Sequence, residues 1–349
     1  MKKNILLFLV IFSFGCRKVM PPGSEPVKMV QYNFDSNENS NLMFQDGESM
    51  ALLTSVARTY EIGKVLRVKA LTATTIEVAN FAPVDIIDAT IVVTIEGQPK
   101  PIKLFKIGKI RAHAVAEIEY PFIKGTTKFQ DTEGGDVDLS QYKTSGIPTA
   151  KVSFDFTGDT ELIKKLKSLA KLKWKIKYSD FDPNDDPTNN WKENIDARDV
   201  RRFSGLIINM AYLLQADTTK SVFVAEPITD NNNVLLTTEQ KETALKKLIE
   251  IPDFSCGVVV NVSGLGGGST FGVADHVLRD YLNVDVCFIT VHEMGHMIGY
   301  SHTSSMTYPS NPGNRGAVVA TGNVYKAMLA KKMFPVRTDN YYRATDFQK

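Results

Sequence analysis

Three of the five histidines in this 349-residue chain, His292, His296 and His302, fall in one short window, with Glu293 beside the first. The run before them, Val286-Cys287-Phe288-Ile289-Thr290-Val291, is continuous and apolar, as a buried helix requires. On a helix of about 3.6 residues per turn, His292 and His296 point the same way, one turn apart. Two imidazoles so placed reach one Zn²⁺ at roughly 2.0–2.1 Å. Glu293 is offset around the helix, where a carboxylate meets a metal-bound water rather than the metal. Gly299 tolerates positive φ and can end the helix in a sharp turn. His302, three residues further on, can then swing back to the same ion. Three nitrogen ligands leave a fourth position for water, the arrangement of a catalytic rather than a structural zinc. Such a zinc brings the pKa of its water toward about 7 and polarises a carbonyl, while Glu293 accepts the water proton and passes it to a leaving amine.

These residues need a scaffold, and from Ile195 onward the pattern is α/β. Val200 to Leu214 carries Phe203, Ile207, Met210 and Leu214 at helical spacing. Ser221 to Ala225 reads as a strand, Thr237 to Glu250 as a helix capped by Thr237 or Thr238, and Cys256 to Val262 as a buried strand. Gly264-Leu265-Gly266-Gly267-Gly268 lacks the ending of a phosphate-binding loop and reads as a flexible loop over the cleft. Thr270 to Ala274 is placed at the sheet edge, and Asn323 to Lys332 reads as a C-terminal helix. Upstream, the stretches 65–68, 75–78, 89–95, 102–107, 114–120 and 151–156 are short and β-rich, several of them alternating, as in an antiparallel β-sandwich. A helix over Asp159 to Leu172 turns its leucines inward and its lysines to solvent, and Lys173 to Tyr178 reads as a final strand. Binding of substrate or cell wall and service as a spacer are both open for this region.

The segment from His292 to Thr303 has the form H-E-x-G-H-x-I-G-x-x-H-T, and Ser304-Ser305-Met306-Thr307-Tyr308-Pro309 follows it. These residues resemble the metzincin clan of zinc peptidases. In detail they look most like the dual-action HEIGH metallopeptidases common among bacterial lipoproteins, with Met294 where the family name has Ile. The resemblance is specific over about 285–310 and absent before about 195. It implies His292, His296 and His302 as zinc ligands, Glu293 as catalytic base and Met306 as the methionine of a tight turn supporting the histidines. Tyr308 stands two residues past that methionine, where some metzincins keep a tyrosine to hydrogen-bond the metal water or the oxyanion. The expected fold is two-domain α+β. A signal peptide (1–16) and a tether (17–58), within which Val30-Gln31-Tyr32-Asn33-Phe34 alternates like a strand, precede an N-terminal antiparallel β-sandwich (59–182) and a compact metzincin-like α/β zinc-peptidase domain (183–349).

The apolar and charged fractions, 43% and 23%, are those of an ordinary globular protein, and a net charge of +2 gives no footprint for nucleic acid. Lys2 and Lys3 precede an apolar stretch from Ile5 to Phe14 that is too short to span a bilayer stably. Ser13-Phe14-Gly15-Cys16 resembles a bacterial lipobox, with lipid on the Cys16 thiol; a plain signal peptide is the alternative. Export follows from either. A lipid anchor in the bacterial outer membrane is expected, with the periplasmic or surface face open. Cys256 and Cys287 could pair in that setting or stay as separate buried thiols. The carboxylates from Asp180 to Asp186 could take Ca²⁺, but they lack the glycine and closing glutamate of an EF-hand loop. Two functional classes remain. One is a zinc-dependent endopeptidase acting on a peptide or protein substrate. The other is an exported lipoprotein binding module with a catalytically inactive zinc domain. Intact Glu293 favours the first.

Overall fold

The computed structural model describes residues 29–181, 190–310 and 313–338. The signal segment with Cys16, the tether up to residue 28 and the carboxylate run from Asp182 lie outside the described residues. The described chain opens with β1 (Gln31–Phe34), β2 (Asn41–Leu42) and the short helix α1 (Met50–Leu53). Next come β3 (Tyr60–Glu61), β4 (Leu66–Ala70), β5 (Thr75–Asn80), β6 (Ile86–Ile95), β7 (Ile102–Ile110) and β8 (Ala114–Glu119). After α2 (Pro121–Lys124) follow β9 (Lys128–Asp131), β10 (Asp136–Asp138), β11 (Val152–Thr157), α3 (Glu161–Ser168) and β12 (Lys175–Tyr178).

Alternation makes these strands: in β5, Ile76 and Val78 are buried while Thr75 and Glu77 between them are only partly so. Two mainly antiparallel sheets result. One runs β10-β9-β7-β6-β11, with β1 added in parallel to β7; the other runs β2-β8-β5-β4. They adjoin where β4 meets β11 and β8 meets β1. Within residues 29–58 the expected tether is folded structure, and the strand-like alternation of Val30 to Phe34 corresponds to β1. Phe34, Met43, Phe44 and Leu53 are buried there, and withdrawing such side chains from water stabilises by about 1.5–3 kcal/mol each.

The second half holds the helices. They are α4 (Ala197–Leu214), α5 (Asp217–Ala225), α6 (Thr238–Ile249), α7 (Asp275–Asp280), α8 (Cys287–Met297) and α9 (Ala317–Ala330). Asp196 and Asp199 form a capping box at the start of α4, and Thr237 and Gln240 form one at α6. Between α6 and α7 lie β13 (Asp253–Val259), β14 (Gly264–Gly267) and β15 (Thr270–Ala274). A third sheet has the order β14-β15-β13-β12-β3, with β12, β13 and β15 parallel and the edge strands β14 and β3 antiparallel. Helix α8 packs on β14, β15 and α9.

Five expectations change. Lys173 to Tyr178, read as the last strand of the sandwich, contributes β12 to the third sheet, and β3 joins it there. The buried apolar cluster runs from Phe34 to Val336. Antiparallel sheets packed with helices thus lead into an α/β region around the histidines, with no clean two-domain split among the described residues. Ser221 to Ala225 is helical, in α5, because Thr219 and Phe223, four apart, bury one face against α6 and α9; that packing overrides the β preference of Val222 and Val224. The glycine run is a strand rather than a loop, and Thr270 to Ala274 is interior, between β13 and β14.

Candidate metal centre and active site

Helix α8 begins just after Asp285, whose Oδ1 accepts the Cys287 N–H at 2.9 Å. His292 and Glu293 are buried on it, and His296 is half-buried one turn later. Each helical imidazole is oriented through its far nitrogen. His292 Nδ1 lies 2.9 Å from Thr307 O, and His296 Nδ1 lies 2.7 Å from Tyr300 O. A carbonyl only accepts, so Nδ1 carries the proton in both neutral rings and each Nε2 presents a lone pair. Those two Nε2 atoms are 3.1 Å apart. With no proton between them they are not hydrogen-bonded; they converge on one point, as two ligands of one ion do.

His302 completes the set: one nitrogen from each of the three rings lies within 4.8 Å of the others. The neutral state is the one a metal needs, and burial supplies it, lowering the His292 pKa to about 4 and lowering that of His296 as well. Three converging nitrogen donors, two of them held by backbone acceptors, fit zinc. Glu293 Oε1 is 3.8 Å from His292 Nε2. Burial raises its pKa to about 7, which suits a general base working near neutrality. The arrangement is that of an H-E-x-x-H zinc-peptidase site with one metal position.

The edge strand explains the burial of Glu293. A Cβ at Gly264 would stand 2.3 Å from Glu293 Oε1, and one at Gly266 would stand 2.3 Å from Glu293 O. Only glycine lets β14 lie this close to α8. Val262 to Gly266, Phe288, Ile289, the three histidines, Glu293 and Tyr308 line an open cavity of about 630 Å³.

The chain leaves α8 through Gly299 at φ +96°. Its N–H returns to His296 O and that of Tyr300 to Gly295 O, both at 3.0 Å. Met306 is fully buried, and its carbonyl passes close to Gly295, between the two helical histidines. Tyr308 is partly exposed, with its ring centroid 4.5 Å from that of His292 and 5.1 Å from that of His302. The structure therefore gathers His292, Glu293, His296, His302 and Tyr308 around one cavity, with Gly299 and Met306 in the turns behind. His113 is buried far along the chain against Phe44, and His276, on α7, does not line the cavity. Cys256 and Cys287 are free, separately buried thiols whose pKa values are pushed up by burial, so neither is an activated nucleophile.

Sequence reasoning missed the segment between α5 and α6 that braces these turns. Thr229 N–H donates to Ser305 Oγ at 2.7 Å, Ser304 Oγ donates to Thr229 O at 2.6 Å, and Ser305 N–H donates to Thr229 Oγ1 at 3.1 Å. Glu226 accepts Arg315 at 2.8 and 3.0 Å and Gly316 N–H at 2.9 Å. No local signal marks these residues, because their partners lie some 75 to 90 positions downstream.

No protein-family model matches the chain, and neither curated proteins nor solved structures gave a significant match. The likeness to metzincin sites rests on the geometry around His292, His296 and His302.

Proposed function

We propose that the chain is a zinc-dependent endopeptidase of the HEIGH metzincin group, exported and lipid-anchored through Cys16. The convergence of two unprotonated Nε2 atoms 3.1 Å apart, with Glu293 Oε1 3.8 Å from one of them in an open cleft, carries this conclusion. His292, His296 and His302 would hold zinc, which would act as a Lewis acid, acidifying a water and polarising the scissile carbonyl. Glu293 takes the water's proton and delivers it to the leaving amine. The Tyr308 O–H donates a hydrogen bond to the oxygen on which charge develops. Met306 packs behind the helical histidines, and Gly299 allows the turn that brings His302 round. An extended peptide lies along β14, which pairs only with β15 among the described residues and borders the cavity.

The test measures zinc content and hydrolysis of an unstructured protein such as casein, for wild type and Glu293→Ala. One zinc in both proteins, with cleavage lost in the variant, is the expected result. One zinc in both and cleavage in neither would favour a binding lipoprotein with an inactive metal domain. Absence of zinc from the wild type would remove the metal centre altogether.

A further inference from the structure

The three ligands are not held alike. Each helical histidine is oriented through its own ring, by Thr307 O or Tyr300 O. His302 is exposed and, among the described residues, makes no hydrogen bond through its ring. What surrounds it is a set of bonds to one distant side chain and its backbone. Asn231 Oδ1 accepts Ser301 N–H at 2.7 Å and Ser301 Oγ–H at 3.2 Å, Asn231 Nδ2 donates to Gly299 O at 3.1 Å, and Asn231 O accepts Thr303 Oγ1–H at 2.7 Å. These four bonds bracket His302 on both sides and reach the turn that ends α8.

We infer that Asn231 is the positioning residue for the third zinc ligand, an inference that rests on the zinc-site reading above. Asn231 is exposed, so each bond alone stabilises only weakly. Their force is geometric, because they converge on three residues, Gly299, Ser301 and Thr303, that flank His302, from a platform that is itself fixed. Asp230 Oδ1 accepts Asn232 N–H at 2.8 Å and Val234 N–H at 2.9 Å, and Thr229 is locked to Ser304 and Ser305. Partners that orient ligands from behind typically change metal affinity by about 10–100-fold. Here the partner acts on the backbone beside the ligand instead of on its ring.

The experiment measures zinc affinity by competition with a chromophoric chelator, and the visible absorption of the Co²⁺-substituted protein, for wild type, Asn231→Ala, Asn231→Asp and Asn232→Ala. Asn231→Ala should bind zinc about 10–100-fold more weakly and lose the tetrahedral cobalt band, while metal-free melting stays near wild type. Asn231→Asp keeps the acceptor for Ser301 and should recover much of the affinity. Asn232→Ala, whose neighbour carries the contacts, should match wild type. Asn231→Ala binding zinc as tightly as wild type overturns the inference. So does a loss that tracks a lowered melting temperature in both Asn231 variants, which marks a general structural role. A wild type that takes up no zinc defeats the metal-centre reading instead.

Discussion

The metal centre has a helical half and a loop half, built on different principles. His292, Glu293 and His296 sit on α8, which is held by its own backbone bonds and by packing against β14, β15 and α9. His302 and Tyr308 sit on a loop that owes its shape to Gly299, to the Met306 turn and to residues 226–231. A rigid pair of ligands is thus joined by a third that must be held in place from outside. The difference teaches that ligand spacing identifies such a site, while the grip on the loop ligand sets how well it is formed.

The sharpest break comes from removing ligands one at a time. His296→Ala and His302→Ala should both bring peptide hydrolysis to background, a loss of at least about 10²–10⁴-fold, because both disable the positioned acid–base chemistry. They should differ in metal binding. His302→Ala leaves the preorganised pair with Nε2 atoms 3.1 Å apart, whereas His296→Ala leaves one ligand oriented through its ring and one held only through the backbone beside it. Calorimetric zinc titration should find weaker binding in His296→Ala. The reverse order would mean that the loop ligand is the better organised one.

Metal removal tests the same contrast without mutation. Zinc at 100 times its dissociation constant stabilises the bound state by about 2.7 kcal/mol, or about 100-fold in an opening equilibrium. If the helical half is self-supporting, chelation should speed hydrogen exchange of amides in 299–308 by up to that factor and leave those of 290–297 nearly unchanged. Equal loss of protection in both would show that α8 also needs the metal.

How much of this was legible from sequence follows the same division. The helical half was legible because its chemistry is local: His292, Glu293 and His296 lie within one turn, and helix periodicity alone aligns them. Gly299 was legible too, since a glycine at a helix end carries its own conformational reason. The brace was not. Asp230-Asn231-Asn232-Asn233 signals a turn, but nothing in it points to a partner such as Ser301, 70 residues away. Strand β14 is hard to read from the sequence for a related reason. Its glycines have poor strand propensity, and the close approach of Glu293 that demands them is a tertiary fact. Residues 29–58 read as a tether because they are polar overall; the alternation of Val30 to Phe34 signals a strand, but only the sheets reveal Phe34, Met43 and Phe44 as core.

Gly266→Ala probes the wall of the helical half. The new methyl would sit 2.3 Å from the Glu293 carbonyl oxygen, a backbone atom that cannot turn aside, so β14 must move off α8. Overpacking of this kind costs about 1–3 kcal/mol. Stability should fall by that amount in chemical denaturation. kcat/KM should fall about tenfold or more as Glu293 becomes wetter, with zinc content unchanged. Full activity in this variant would mean that β14 does not set the environment of Glu293.

Arg315→Ala should have the smallest effect, and it separates two ways of bracing the loop half. The Arg315 side chain is 51% exposed and that of Glu226 only 10%, so the pair is half-open to solvent and its loss should cost about 1 kcal/mol. Glu226 keeps its bond from Gly316 N–H at 2.9 Å, so the carboxylate retains a backbone donor and the strap to the segment after the Met306 turn. Melting temperature should drop slightly, and zinc affinity should stay within about twofold, since fixed backbone bonds and not this ion pair position the ligand. A fall in zinc affinity as large as that expected for Asn231→Ala would move the grip on His302 from the Asn231 bonds to the Glu226–Arg315 strap.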